Sequence, residues 1–210
     1  ATNDRVVAYF METGQIDRAI DTAGIEIMAI AGSNEFSEDG TDLAKSIERV
    51  LPSLEGDSPE ACRLLSKYAH ALAVERADGK GAQTAIDSAI EIARRLKSEP
   101  LELTAMEIQL SFRNQNTDWD NLKIAATQVV EMALRLGDQG KELRGHYFLG
   151  MANLGLGNLA AAQPELQTML ELSESLNRIH NIEQALTFIS GLHLMRGEWA
   201  EAIEASKQQV

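Results

Sequence analysis

The sequence predicts an all-α protein, a right-handed superhelical solenoid of antiparallel helix pairs, and three observations carry that prediction. Aromatic residues make up only 5% of the chain, while Ala, Leu and Glu, which lose little rotamer freedom in a helix, are abundant. Apolar residues recur at spacings of three and four, with Gly, Asn or Asp clusters between the periodic stretches. Shifting the chain by forty residues also lays similar segments over one another. AIEIARRL from Ala89 falls on VVEMALRL from Val129 and on MLELSESL from Met169, so that Glu91, Glu131 and Glu171 coincide, as do Leu96, Leu136 and Leu176. Trp119, Leu159 and Trp199 keep the same interval, with Gly157 and Gly197 each two residues ahead of the bulky one. A helical hairpin of this length cannot bury its apolar face alone, so neighbouring hairpins must stack.

The elements follow in order. Helices are predicted over 3–13, 15–31, 40–55, 59–77, 81–97, 100–115, 118–136, 139–155, 158–176, 180–195 and 198–209, with no strand. The stretch 1–58 is irregular: GIEIMAIA from Gly24 lies outside the forty-residue register. From residue 59 to 210 the repeats are regular, and the whole of 1–210 reads as one repeat domain. Asp57-Ser58-Pro59-Glu60 is a strong start signal, a capping side chain before a proline in the first turn and an acid at the positive end of the helix. Pro164, six residues into its helix, removes an amide donor and crowds the preceding turn, so a bend is expected there. The chain starts at Ala1 without methionine and stops at Val210 within a predicted helix, which reads as an excised piece of a larger protein. Its open solenoid ends would allow an end-to-end homodimer.

Composition narrows the function. Nineteen basic against 32 acidic residues give a formal net charge of −13, the wrong sign for a phosphate backbone, so no nucleic-acid partner is expected. The single cysteine, Cys62, cannot form an internal disulfide and fits a reducing, cytoplasmic setting. No apolar run of 18 residues and no signal-peptide pattern is present, so no membrane partner is expected.

No constellation points to catalysis, a metal or a cofactor. Gly155-x-Gly157 has no strand before it and no Gly-Lys-Ser/Thr after it, so a hairpin turn explains it better than a phosphate loop. His70, His146, His180 and His193 are scattered without metal-ligand spacing, and His193 reads as a core or groove-wall residue. Cys62 reads as a small buried residue. Glu38-Asp39 and the Asp118, Asp120 pair read as solvated loop and cap residues, because acid-base work needs two carboxyl groups in contrasting environments within one cleft. Trp119 and Trp199 read as packing wedges, and Met106, Met132, Met151, Met169 and Met195 as core filler.

Within the unit the residues resemble the tetratricopeptide pattern. HYFLGMANLGLGNLAAAQPELQTMLEL from His146 has Leu149-Gly150 in a first helix, Gly157-Asn158-Leu159 at the turn and Ala162 in a second. ALTFISGLHLMRGEWAEAIEAS from Ala185 has Gly197-Glu198-Trp199 followed by Ala202-Ile203, and VVAYFMETGQIDRAIDTA from Val6 has Gly14-Gln15-Ile16 followed by Ala19-Ile20. The period is forty rather than the thirty-four of the ordinary motif. With LPSLEGDSPEACRLLSKYAHALA from Leu51, that longer period resembles the helical repeat region of large bacterial signalling proteins. These are LuxR-type ATP-dependent transcriptional activators similar to the maltose-regulon activator, and class III nucleotide cyclases with a similar middle. The resemblance implies a non-enzymatic sensor and interaction module placed between ATPase and output domains. The alternative is a free-standing adaptor or assembly protein that holds a peptide.

In tetratricopeptide-like repeats the first helix of each pair lines the concave groove. The residues so placed are Lys67, Ala71 and Glu75; Glu107, Ser111 and Asn114; Arg144, Tyr147 and Met151; and Gln184, Thr187 and Met195. Lys67, Glu107, Asn114, Arg144, Tyr147, Met151 and Gln184 are the binding residues expected. Their mixed character suits a protein or peptide partner, or a small-molecule effector. The carboxylate clamp of chaperone-binding repeats does not carry over, since Met151 and Gly191 stand where its Asn belongs.

Overall fold

The computed structural model describes residues 43–54, 56–111 and 118–208, together with residues 6, 9, 10, 13–15, 18 and 19. The described residues are helical, with no strand among them. The helices are α1 (Leu43–Val50), α2 (Pro59–Glu75), α3 (Gly79–Arg95), α4 (Glu99–Ser111), α5 (Trp119–Leu136), α6 (Gln139–Gly155), α7 (Leu159–Ser175), α8 (Ile179–Arg196) and α9 (Trp199–Lys207), and a 3-10 turn (Leu51–Ser53) follows α1. From α2 onward the helices begin at residues 59, 79, 99, 119, 139, 159, 179 and 199, an unbroken interval of twenty. The forty-residue repeat is therefore two helices of equal allotment. The predicted helices before residue 40 lie mostly outside the described residues.

Local chemistry explains the regular starts. Ser58, Asp78, Asp118, Asp138 and Asn158 each accept a hydrogen bond from the backbone amide three residues on, at Ala61, Gly81, Asn121, Lys141 and Ala161. Each side chain satisfies one of the amides that a helix start leaves without an intrahelical partner. The stops are equally uniform. Two residues before a start, Ala77, Lys97, Gly137, Gly157, Asn177 and Gly197 all adopt positive φ, between 51° and 76°. The next amide then reaches back to the helix just ended, as from Asp138 to the carbonyl of Ala133 at 3.0 Å and from Asn158 to that of Asn153 at 2.8 Å. These turns are left-handed caps that reverse the chain within three residues.

The chain divides into two compact units, Ala1–Phe112 and Arg113–Val210. In the first, α2 packs on α3, and α4 on both, around Leu64, Ile86, Leu103 and Leu110, all at most 2% exposed. Tyr68 donates to Glu48 Oε1 at 2.8 Å and Arg76 pairs with the same oxygen at 2.6 Å, tying α1 to α2. Arg95 clasps Asp57 and holds its carboxyl below the ordinary range.

In the second unit each helix packs on the next. Leu143, Met169 and Ala185 form one buried cluster, and Ala162, Leu166 and Leu192 another. Glycine allows the closest approaches: a Cβ on Gly145 would stand 2.5 Å from Cγ2 of Val130, and one on Gly155 would enter the indole of Trp119. Helix α7 runs unbroken through Pro164. The carbonyl that Pro164 leaves without a donor is that of Ala160, an exposed residue whose carbonyl water can serve.

Candidate functional site

In the second unit the first helices of the two pairs, α6 and α8, meet through aromatic rings. Tyr147 stands edge-on to Phe148, with ring centroids 4.8 Å apart, and to Phe188 of α8 at 5.6 Å. The Arg144 guanidinium lies over Phe148 at 5.2 Å and over Tyr147 at 5.8 Å. Beneath this surface Tyr147 rests on the cluster of Leu143, Met169 and Ala185. Burial pushes the Tyr147 hydroxyl above its ordinary pKa, against the smaller opposing pull of Arg144. The result is a cationic and aromatic shelf fixed by packing, with Phe148 buried and Arg144, Tyr147 and Phe188 half-buried, a combination able to stack on planar or apolar groups.

The residues expected from the sequence are placed as follows. Arg144 and Tyr147 are in contact, Met151 lies one turn farther along α6, and Gln184 lies one turn before Phe188 on α8. All four are half-buried. Lys67 on α2 and Glu107 on α4, also half-buried, belong to the first unit. Asn114 lies outside the described residues. Two members of the shelf, Phe148 and Phe188, were not singled out by the sequence reading. The register could have found them, because Tyr68, Ile108, Phe148 and Phe188 are spaced by forty.

Other expectations meet the geometry more simply. Cys62 is buried, donates to the carbonyl of Ala89 at 3.3 Å, and burial raises its thiol pKa. His193 is half-buried with Nδ1 2.6 Å from Glu198, and His146 sits 2.7 Å from Glu165, joining α6 to α7. Gly157 is the left-handed residue of a hairpin turn. Met106 and Met169 are core residues, but Met195 is 60% exposed and does not fill a core. Trp199, 66% exposed, is not wedged between helices as Trp119 is. Among the described residues no three His, Cys, Asp or Glu side chains gather as a metal site, and no helix is long and apolar enough to cross a membrane.

Solved structures share this arrangement. A Rap protein complexed with competence and sporulation factor matches with a TM-score of 0.70 at 16% identity, over 97% of this chain. The fold is tetratricopeptide-like. BtubC from P. vanneervenii matches with a TM-score of 0.68 at 15% identity, covering 98% of this chain and 84% of that one. A putative kinesin light chain from Podosopora anserina with nearly identical TPR-like repeats matches at 0.61 and 14% identity, covering 99% and 92%. The chain spans 50% of the length of the Rap protein. No family model matches the sequence, and no curated protein does.

Proposed function

We propose that this chain is a protein-interaction module that binds a peptide segment of its partner across the α6 and α8 face. The observation that carries the reading is the Arg144, Tyr147, Phe148 and Phe188 cluster, in which a guanidinium and the half-buried Tyr147 and Phe188 rings are held in place around the buried Phe148. Preformed aromatic and arginine side chains contribute disproportionately to recognition because little side-chain entropy is lost on binding. Met151 and Gln184 add an adaptable apolar contact and an amide that can pair with a peptide backbone. The Rap protein, described as complexed with competence and sporulation factor, supports the reading through likeness of fold.

A random-peptide array tests it. Sequences retained by the wild-type chain should lose roughly tenfold or more in affinity on Arg144→Ala or Phe188→Ala, the scale of a lost interface anchor. Equal retention by both variants would place the binding elsewhere. The finer reading is a sensor segment of a bacterial signalling regulator, resting on the forty-residue period and the LuxR-type resemblance, with the free-standing adaptor as its competitor. Sequencing the parent reading frame separates them: a P-loop upstream with a helix-turn-helix or cyclase domain downstream supports the regulator, and a frame without either supports the adaptor.

A further inference from the structure

Three glycines of α6 are explained by their neighbours. A Cβ on Gly145 would stand 2.5 Å from Val130, one on Gly150 would stand 2.6 Å from Leu166, and one on Gly155 would enter the Trp119 indole. Gly191, well inside α8, has no such neighbour: a Cβ added to it meets no described atom within 4 Å. A glycine inside a helix costs stability relative to alanine. One that packing does not require marks a point where a ligand comes close to the backbone.

Gly191 lies on the α6 and α8 face. In the forty-residue register it matches Met151, and the two positions lie one turn beyond the Tyr147 to Phe188 ring contact, one on each helix. Met151 stays half-buried with α8 beside it, so this row is accessible even where a following hairpin is packed. Phe188 and the 60% exposed Met195 flank the bare backbone at Gly191 on α8, with Met151 level with it on α6. One turn back, the Arg144 guanidinium lies over Phe148 and Tyr147. Stacking uses the face of a guanidinium, whereas its N–H donors lie at the rim. Charge distinguishes this side of the unit in a chain of net charge −13. Helix α6 has Lys141 and Arg144 against Glu142, and α8 has Arg196 against Glu183, while α7 has Glu165, Glu171 and Glu174 and no Lys or Arg.

We propose that the segment bound on this face is extended, with an acidic side chain on the Arg144 guanidinium and an apolar side chain two residues away in the notch at Gly191. The inference rests on the reading of the α6 and α8 face as a peptide site. Spacing selects the pair. One helical turn rises about 5.4 Å, and alternate residues of an extended chain stand about 6.6 Å apart and point to the same side. Two such side chains therefore reach from the guanidinium to the notch over the Tyr147 and Phe188 rings. Met151 and Met195 adapt to the shape of a Leu, Ile or Met side chain. The missing side chain at 191 admits that residue, which makes Gly191 a specificity-determining position.

Peptides retained from a random array by the whole chain and lost on Phe188→Ala define the site. Among them, Asp or Glu two residues from Leu, Ile or Met, in either order, should be enriched over chance. Resynthesised with Lys for the acid, or with Gly for the apolar residue, they should each lose roughly tenfold in affinity by fluorescence anisotropy. Gly191→Leu fills the notch where there is room for it, so it should melt no earlier than the parent chain and lose the preference for the apolar residue over Gly. Gly191→Ala, a smaller filling, should raise Tm and weaken the same preference. Arg144→Gln should lose the preference for the acid and the weakening of binding by salt. Site-dependent peptides without the acidic and apolar pair, or bound equally by folded Gly191→Leu or Gly191→Ala, overturn this proposal and leave the peptide site standing. An array in which no retained peptide depends on Phe188 or Arg144 overturns both.

Discussion

The two units build the same hairpins from different residues. In the first, Gly14 and Gly56 adopt positive φ, but the turns that end α2 and α3 put Ala77 and Lys97, both with a Cβ, in that conformation; in the second the turn residues are Gly137, Gly157, Asn177 and Gly197. An L-residue pays roughly 1 kcal/mol for that conformation and glycine does not. The faces differ too. Positions 67 and 107 of the first unit hold Lys and Glu where 147 and 187 of the second hold Tyr and Thr. Helix starts, stops and apolar spacing repeat from unit to unit, whereas turn residues and face residues vary. The comparison separates what the architecture requires from what recognition can use.

Core truncation is the strongest way to break the equivalence. Leu103 and Leu143 hold the same register position and are 1% and 0% exposed. Leu103→Ala and Leu143→Ala should each cost about 2–5 kcal/mol, read by urea denaturation. A mild effect at one of them would show that the two cores are not equivalent.

Buried polar groups come next. Ser66 in the first unit donates to the carbonyl of Cys62 at 2.9 Å, whereas the side-chain oxygen of the buried Asn153 in the second has no hydrogen-bond partner among the described residues. Asn153→Leu should stabilise by about 1 kcal/mol, since an unsatisfied buried acceptor is removed. Ser66→Ala should not stabilise. Thermal melts of both variants check the contrast.

The turns give a smaller effect of opposite sign in the two units. Lys97→Gly should raise stability by about 0.5–1 kcal/mol, and Gly157→Ala should lower it by a similar amount. Guanidinium denaturation midpoints with unchanged slopes would report it.

Smallest is the acid response of one cap. Burial would raise the Asp138 pKa, but the Lys141 ammonium at 2.6 Å and the backbone amides of Lys141 and Gly140 outweigh it and hold the carboxyl below its ordinary 3.8. A pKa lowered by folding contributes stability that is fully present above pH 3.8 and is lost as the pH falls through the depressed value. Asp138→Asn keeps a capping side chain and removes the titration. Its stability should therefore fall less steeply below pH 3.8, as measured by melts across that range.

Much of the fold was legible because its signals are local. Asp118, Asp138 and Asn158 mark helix starts, Gly137, Gly157 and Gly197 mark stops, and the forty-residue overlay fixes everything between. The predicted starts at 59 and 139 coincide with α2 and α6, those at 100, 118, 158, 180 and 198 miss by one residue, and that at 81 misses α3 by two. Arg144 and Tyr147, named through the tetratricopeptide resemblance, lie in contact on α6. Phe148 and Phe188 were passed over because pattern alone does not tell a ring closing the core from one forming a surface. Trp199 shows the same limit. Its register position matches that of Trp119, and the difference is that α6 meets the Trp119 indole at Gly155 while Trp199 is 66% exposed.

The interval of twenty between helix starts has a consequence for how such a gene can change length. Loss or gain of forty codons rejoins a first helix to a second helix with helix starts and left-handed turns still in step. Loss or gain of twenty would put a face-lining helix where a Trp-bearing one belongs, setting Arg144-like side chains against a neighbour's core. Viable length variants of this chain should therefore differ by whole multiples of forty residues.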